Sequence, residues 1–549
     1  MTRTGSSKRE KKRNAFSISL LLSNLIDDLT PELRGFAEIL SADIDNPLAF
    51  RETVGNIRAY AEHALMDDLP FYAAVRQVAA ICEKLPTWGA ADDRELRESA
   101  RVKFLDAELR CKRTNKKLRF YSRYPSRIPR HVRVVLNMAV DLIHAALGPC
   151  EIDWEECCFG PGVTASTGRS HHEKLVNVST TSGAAAIARS VLPEVFPRWV
   201  DHLLESDSAS LSWVKGDRIS FVAKSATTKR TIGIQSSLQV FLQKGVEAAM
   251  RPALRRLGVT LDNQERNRTI LDRWEDICTI DLSSASDCVA RETVRFFFPA
   301  DWDALIFGLS SRFYTFDKKG MEEESRCYHQ YHKIAAMGNC TTFPVESLIF
   351  AAVNLAATKY CGDDTSLCRT YGDDIITPRN AGLLVIEVLR WLGFIPNRDK
   401  TFITGPFRES CGRDTLWGVD VRPVYVREIP ADDTAIYGLH NRLLCNAGGW
   451  ALNRTLRYLR SLVDNPFWGP AWYGAGMNSL KWAPHGVTSD WYAGKSSDVD
   501  GFFWSPTPHH EGVVVIHGDT PTTWWWLEHR ANVRRFKTPD DERTAYLAF

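Results

Sequence analysis

Thr370-Tyr371-Gly372-Asp373-Asp374-Ile375-Ile376 decides the reading of this 549-residue chain. Two adjacent carboxylates follow a glycine, with β-favouring residues on both sides, Leu367 to Tyr371 and Ile375 to Thr377. The pattern predicts two short strands joined by a tight turn, with Asp373 and Asp374 at its tip. Clustered carboxylates repel each other, so such a pair is solvated or holds a cation.

Upstream, Ile280-Asp281-Leu282-Ser283-Ser284-Ala285-Ser286-Asp287 sets another carboxylate at the end of a short apolar strand, Ile277 to Leu282, which enters a helix at the serines. Taken alone, Asp281 suits a helix N-cap and Asp287 an ordinary helix position. If Asp281 and the Asp373 turn meet in space, they form a Mg²⁺ site for phosphoryl transfer. Mg²⁺ prefers carboxylate and phosphate oxygens. Two such ions roughly 4 Å apart activate an attacking hydroxyl and stabilise a leaving pyrophosphate.

Gly362-Asp363-Asp364 tests the argument, because it repeats the tripeptide. It follows the helical pattern of Glu346 to Tyr360 and precedes Thr365-Ser366, so it reads as a glycine C-cap and a solvated turn.

A triphosphate needs fixed cations as well. Lys224, Lys229 and Arg230 lie on a basic turn between the strand-like Arg218 to Ala223 and Thr231 to Ile234, before a long helix from Leu238 to Leu257. Such a turn can aim donors at phosphates, or be plain surface. Met337-Gly338-Asn339-Cys340-Thr341-Thr342-Phe343-Pro344-Val345-Glu346-Ser347 opens a helix, with Gly-Asn as the turn and Thr341 or Thr342 as its cap. Its polar groups suit the sugar of a nucleotide. Lys400, after Gly393-Phe394-Ile395-Pro396-Asn397, is a candidate proton donor to pyrophosphate.

Net charge is only +2, so a nucleic-acid surface must come from segregated charge. From Arg101 to Arg133 twelve Lys/Arg stand against Asp106 and Glu108, with Phe120, Tyr121 and Tyr124 interleaved. That stretch suits phosphates and stacked bases, or is a solvated charged helix. Thirteen scattered cysteines show no zinc spacing and read as reduced thiols. His171-His172 and His509-His510 read as surface or loop residues. A basic tail precedes an amphipathic helix after Ala15, and no stretch approaches the roughly 20 apolar residues of a membrane span. Val134 to Leu147 and Leu383 to Leu392 read as helices, 159–183 as a Gly/Ser/Thr-rich loop, and Leu416 to Ile429 as strand-like. The tryptophan-rich last 120 residues, including Trp524-Trp525-Trp526, read as packing or a partner surface. The fold class is α+β.

In order and spacing these motifs resemble those of the RNA-dependent RNA polymerases of the RNA phages, the leviviral replicase beta subunits, across about residues 215–426. The Asp281 segment resembles motif A, Met337 to Ser347 motif B, Tyr371 to Asp374 motif C, and Asn397 to Phe402 with Lys400 motif D. Phe407 to Gly412 with Gly418 to Val421 is similar to the segment that follows. The family carries Gly where Cys340 stands, Glu-Leu where Pro344-Val345 stand, and a more acidic basic turn. The resemblance implies a right hand of fingers, palm and thumb, with an antiparallel palm sheet packed on helices. Its division here would be 1–214, an N-terminal region and fingers; 215–265, fingers with the NTP-binding turn; 266–430, palm; and 431–549, thumb and C-terminal region. It implies that Asp281, Asp373 and Asp374 bind two Mg²⁺ ions, with Mn²⁺ as a substitute, and that Lys400 joins them in catalysis. Lys224, Lys229 and Arg230 would hold the triphosphate, and Asp287, Asn339, Thr342 and Glu346 the nucleotide's sugar. It implies RNA template and product, NTPs, host elongation factors Tu and Ts, a ribosomal RNA-binding protein, and the bacterial cytoplasm.

Two rivals stand beside it. A reverse transcriptase also uses a Tyr-x-Asp-Asp turn, but with a bulky aromatic excluding the 2′-hydroxyl where this chain offers Ser286-Asp287. A non-enzymatic RNA-binding protein would use only the basic 101–133 stretch and would not need three retained carboxylates.

Overall fold

The computed structural model describes residues 16–464 except 65–66, 86–87, 89–91, 207–208 and 317–324, and beyond 464 only four two-residue strands. The basic tail, His509-His510 and Trp524-Trp525-Trp526 lie outside the described residues.

Three antiparallel strands form the centre. Asp374–Pro378 runs between Ile277–Ile280 and Arg369–Tyr371. Alternation gives the sheet two unlike faces. Ile280 and Ile375 pair directly and point into the largest core, with the helices Arg130–Leu147, Ser237–Arg256, Thr342–Cys361 and Gly382–Trp391. Thr279 and Ile376 pair on the opposite face, where Glu409 N approaches Thr279 Oγ1. The helix Thr342–Cys361 is buried over most of its length. Its Asn354 amide donates to Ile376 O at 2.9 Å, tying helix to sheet. Gly362 ends it with φ +73°, as a left-handed C-cap, and Asp364 caps the next short turn. The repeated Gly-Asp-Asp is therefore a turn after a helix.

The second sheet carries the basic turn. Asp217–Ala223 and Lys229–Ile234 form a hairpin, and Phe313–Thr315 lies parallel to the first of them. A second core joins the two ends of the described chain. Helices between Ile18 and Ala80 pack against Phe407, Leu416, Val421 to Val426 and the helices Asp433–Leu444 and Asn453–Ser461. Ser17 N donates to the Tyr458 hydroxyl at 2.6 Å, and Asp28 accepts from Thr455.

Some local expectations change. Residues 159–183 contain the helix His171–Val176, the strand Asn177–Thr180 and the start of a helix at Ser182, so the small polar residues are caps as well as loop. No α-helix begins at the serines after Asp281. A turn with Ser284 at φ +52° and one 3₁₀ turn intervene before the helix Arg291–Phe297. Leu416 to Ile429 is strand only at Arg413–Leu416 and Val419–Asp420. Val421, Val424 and Val426 are buried because an extended segment packs on the N-terminal helices. Val421 N still donates to Asp414 O of the strand Arg413–Leu416, and beyond it the backbone bonds go to the Gln77 side chain and to Ile81 O. No helix among the described residues is long and apolar enough to cross a membrane.

Arg408 locks strand Phe407–Ser410 to the centre. It is fully buried and donates to the carbonyls of Ile277 at 2.8 Å, Trp274 at 2.7 Å and Gly405 at 2.9 Å. Each carbonyl left unpaired costs about 1–3 kcal/mol. Arg408→Met should therefore lower stability by about 3 kcal/mol or more, read as a fall of several degrees in the thermal midpoint.

Candidate active site

The register ends with Ile280 paired to Ile375, so the next residue along each strand, Asp281 and Asp374, comes to the same end of the sheet. Tyr371 pairs with Asp374, so Gly372-Asp373 is a two-residue hairpin turn. Gly372 has φ +58°, and a Cβ there would lie 2.3 Å from the Phe343 ring. Both the turn and the close approach exclude a side chain. Ser347 Oγ accepts from Gly372 N at 3.2 Å, so the buried helix also fixes the height of the tip.

Asp281 Oδ2 accepts from Asn397 Nδ2 at 2.8 Å, and Asn397 N donates to Asp281 O. Asp374 Oδ2 accepts from Cys411 N at 3.2 Å. Burial pushes Asp281 up to about 6, opposed by the Asn397 bond and reinforced by Asp373. Burial, then Asp373 and Asp281, push Asp374 up to about 7. Burial also raises Asp373, while its own backbone N–H, Arg230, Lys224 and Lys400 pull the other way. These cations and carboxylates thus share one electrostatic neighbourhood.

Lys224 leaves the hairpin end exposed, and burial and then Arg230 lower its pKa, while Asp281 and Asp373 raise it. Lys229 does not join this group. It precedes Arg230 on a strand and therefore points to the opposite face, where it pairs with Asp93. Lys400 Nζ donates to Glu409 Oε1 at 3.0 Å. Burial acts to lower Lys400, but Glu409, Asp281 and Asp374 raise it. A cavity of about 910 Å³ runs from Asp281, Asp374 and Lys400 to Arg58, Lys84 and Tyr425 on the N-terminal and Val421–Val426 side. None of the basic 101–133 stretch lines it. That stretch is mostly the long helix Asp93–Arg123. Phe120 and Tyr124 are exposed, and Tyr121 packs on Trp391.

The other sugar candidates are buried. Asn339 Oδ1 accepts from Thr341 N and Oγ1, while Asn339 Nδ2, Thr342 Oγ1 and Glu346 Oε2 have no hydrogen-bond partner. Burial, then Asp373, push Glu346 well above the carboxylate range, and it shares a hydrogen bond with Ser286. Thr341 occupies the N-cap position without a capping bond. Asp287 is paired with Lys333.

Sequence reasoning did not find Asn397 as the partner of Asp281 or Glu409 as the partner of Lys400, nor Lys333 and Glu108. The last had a signal. Phe104, Glu108, Cys111, Asn115 and Leu118 recur at helical spacing as the buried stripe of the basic helix.

Among the described residues, no three His, Cys, Asp or Glu side chains converge closely enough to enclose an ion. The donors at the tip are nonetheless hard carboxylate oxygens, half-buried and mutually repelling, which is the environment a divalent cation offsets. The fold and site define a cluster of carboxylates at one end of an antiparallel sheet, with cations in the same electrostatic neighbourhood. The sequence model described as RNA replicase, beta-chain, matches residues 70–454, and the chain belongs to that family. It is 32% identical over 341 residues to the RNA-directed RNA polymerase subunit beta of Enterobacteria phage SP, covering 59% of this chain and 56% of the relative. For the subunit beta of Qbeta virus (strain MX1) the values are 33% over 335 residues, 59% and 54%. For the beta chain of Enterobacteria phage fr they are 27% over 423 residues, 75% and 74%. The chain thus spans about half the length of the first two relatives.

Raised carboxylates favour the fold below their unfolded pKa, near 4, and that contribution is lost as pH rises through about 6 to 7. In chelator, Asp374→Asn should therefore be more stable than the parent at pH 8, by on the order of 2 kcal/mol, and no more stable at pH 4. Added Mg²⁺ should raise the parent's melting temperature more at pH 8 than at pH 5. A variant that melts no higher than the parent at pH 8 contradicts the site electrostatics.

Proposed function

We propose that this chain is an RNA-directed RNA polymerase that copies a viral single-stranded RNA by adding nucleotides from NTPs to an RNA 3′-hydroxyl. The observation that carries the reading is the Ile280–Ile375 register, which brings Asp281 and Asp374 to one end of the sheet, with Asp373 at the tip and Lys224 and Arg230 acting on it. The family membership and the polymerase names of the relatives support it.

In this reading Asp281, Asp373 and Asp374 hold two Mg²⁺ ions, for which Mn²⁺ substitutes. Bound there, the ions supply activation of the 3′-hydroxyl and charge neutralisation at the leaving pyrophosphate. Lys224 and Arg230 hold the triphosphate, and Lys229, turned to Asp93, is left out. Lys400 lines the same cavity as Asp281 and Asp374 and gives its proton to pyrophosphate, with Glu409 keeping it charged. Asn339 Nδ2, Thr342 Oγ1 and Glu346 Oε2 are buried donors and acceptors that a ribose would complete. Burial, then Asp373, raise Glu346 well above its usual range, which favours its protonated form. Residues 266–430 serve as palm, 215–265 as part of the fingers, with the helical 1–214 region before them and 431–549 as thumb and C-terminal region. The word subunit in the relatives' names supports a holoenzyme in the infected bacterium, with host elongation factors Tu and Ts and a ribosomal RNA-binding protein as its expected members.

Asp373→Asn should cut Mg²⁺-dependent NTP incorporation about 10²- to 10³-fold, as loss of a transition-state-stabilising group does, and leave RNA binding intact. Incorporation assays on a primed template, with host factors supplied, read the first. Salt-dependent filter binding reads the second. An Asp373→Asn protein that synthesises RNA at the parental rate sinks the assignment.

A further inference from the structure

Lys333 is an ammonium whose side chain is wholly shielded from solvent. Its Nζ donates to Asp287 Oδ1 at 2.8 Å and lies 3.6 Å from Glu108 Oε1. The Phe104 ring covers it, with Nζ 3.5 Å from the centroid. Burial acts to lower an ammonium's pKa, but Asp287 and Glu108 more than offset this, so Lys333 is raised and charged.

The backbone around it is tied to the same place. Lys333 bridges Ala290, Ile334 N donates to Val289 O at 2.9 Å, and Arg291 N donates to His332 O at 3.1 Å. The long helix Asp93–Arg123 closes the other side. Glu108 Oε2 accepts from His332 N at 2.7 Å, Asn115 Nδ2 donates to His332 O at 2.7 Å, and Cys111 Sγ contacts Asp287 O. The segment carrying Asp287 is thus held between Lys333 and the buried stripe of the basic helix.

A buried ion group is weak evidence for stability, because desolvation consumes most of the Coulomb gain. What this one supplies is orientation. Lys333 engages one oxygen of Asp287, and no described residue hydrogen-bonds the other. Asp287 in turn helps raise Glu346, so the two carboxyl groups are neighbours in the buried site that also holds Ser286 and feels Asp373.

Resting on the polymerase reading above, we propose that Lys333 is a positioning residue for ribonucleotide selection. Its buried ion pair fixes Asp287 beside Glu346, where a ribose 2′-hydroxyl is read, and Glu108 braces it against the long helix. The chemical class selected is the ribonucleoside triphosphate over its 2′-deoxy analogue.

The test compares a ribonucleotide with its 2′-deoxy analogue on one template, using the full-length chain with host factors supplied. Lys333→Met should lower the ribo/deoxy ratio of kcat/KM by about tenfold, mainly through the ribonucleotide KM. Asp287→Asn should act alike, and the double variant should be no worse than the worse single variant, because residues acting as one unit are not additive. Glu108→Gln leaves the Lys333–Asp287 pair and should lower the melting temperature with little change in the ratio. Equal slowing of both substrates by Lys333→Met, or effects that multiply in the double variant, would overturn the proposal. Should Lys333→Met fail to fold, Lys333→Gln, which keeps a donor without charge, is read by the same ratio with the same two outcomes. Parental protein that incorporates no ribonucleotide at all would overturn the polymerase reading instead.

Discussion

The whole site depends on one antiparallel register, Ile280 against Ile375. Side chains along a strand alternate, so the two isoleucines enter the large core and the residues that follow them at that end, Asp281 and Asp374, turn away from it. A slip of one residue would drive carboxylates into that core and isoleucines out of it, which is why the register is strongly specified. Like charges directly opposite each other are unfavourable. Core burial on one face therefore holds a carboxylate pair together on the other. The raised values of Asp281 and Asp374 are the electrostatic record of that constraint.

The surroundings of the pair come from distant parts of the chain. Arg408 pins the strand after Lys400 to the carbonyls of Trp274 and Ile277. That strand also brings Glu409 to Lys400, and Cys411 N to Asp374. Behind it, Arg76 and Arg422 both pair with the buried Asp414, joining the N-terminal helices to the same wall. The cavity beside the carboxylates is therefore built by residues more than 300 positions apart.

The helix Thr342–Cys361 shows a different economy. It is packed on nearly all sides, yet Thr342, Glu346 and the preceding Asn339 keep buried polar atoms without partners. Native structures rarely tolerate such atoms, and here three of them gather at one helix start. Gly338, with φ +115° and a Cβ position 2.7 Å from Gly233 O, lets that turn approach the basic hairpin. The helix start with its unpartnered polar atoms and the basic hairpin are brought together there.

What the sequence determined by itself is local. The carboxylate hairpin, the glycine C-cap that separates Gly362-Asp363-Asp364 from it, and the long helices were legible because turn chemistry and apolar periodicity act over a few residues. The pairing of Lys333 with Asp287 and Glu108, the bond from Asn397 to Asp281 and the course of Val421 to Val426 were decided only by tertiary structure. Each depends on contact between segments far apart in the chain, and burial, not spacing, selects the partner. Lys229 shows the limit most sharply. The sequence placed it beside Arg230 in one basic turn, and the strand's alternation sent the two cations to opposite faces, one toward the carboxylates and one toward Asp93.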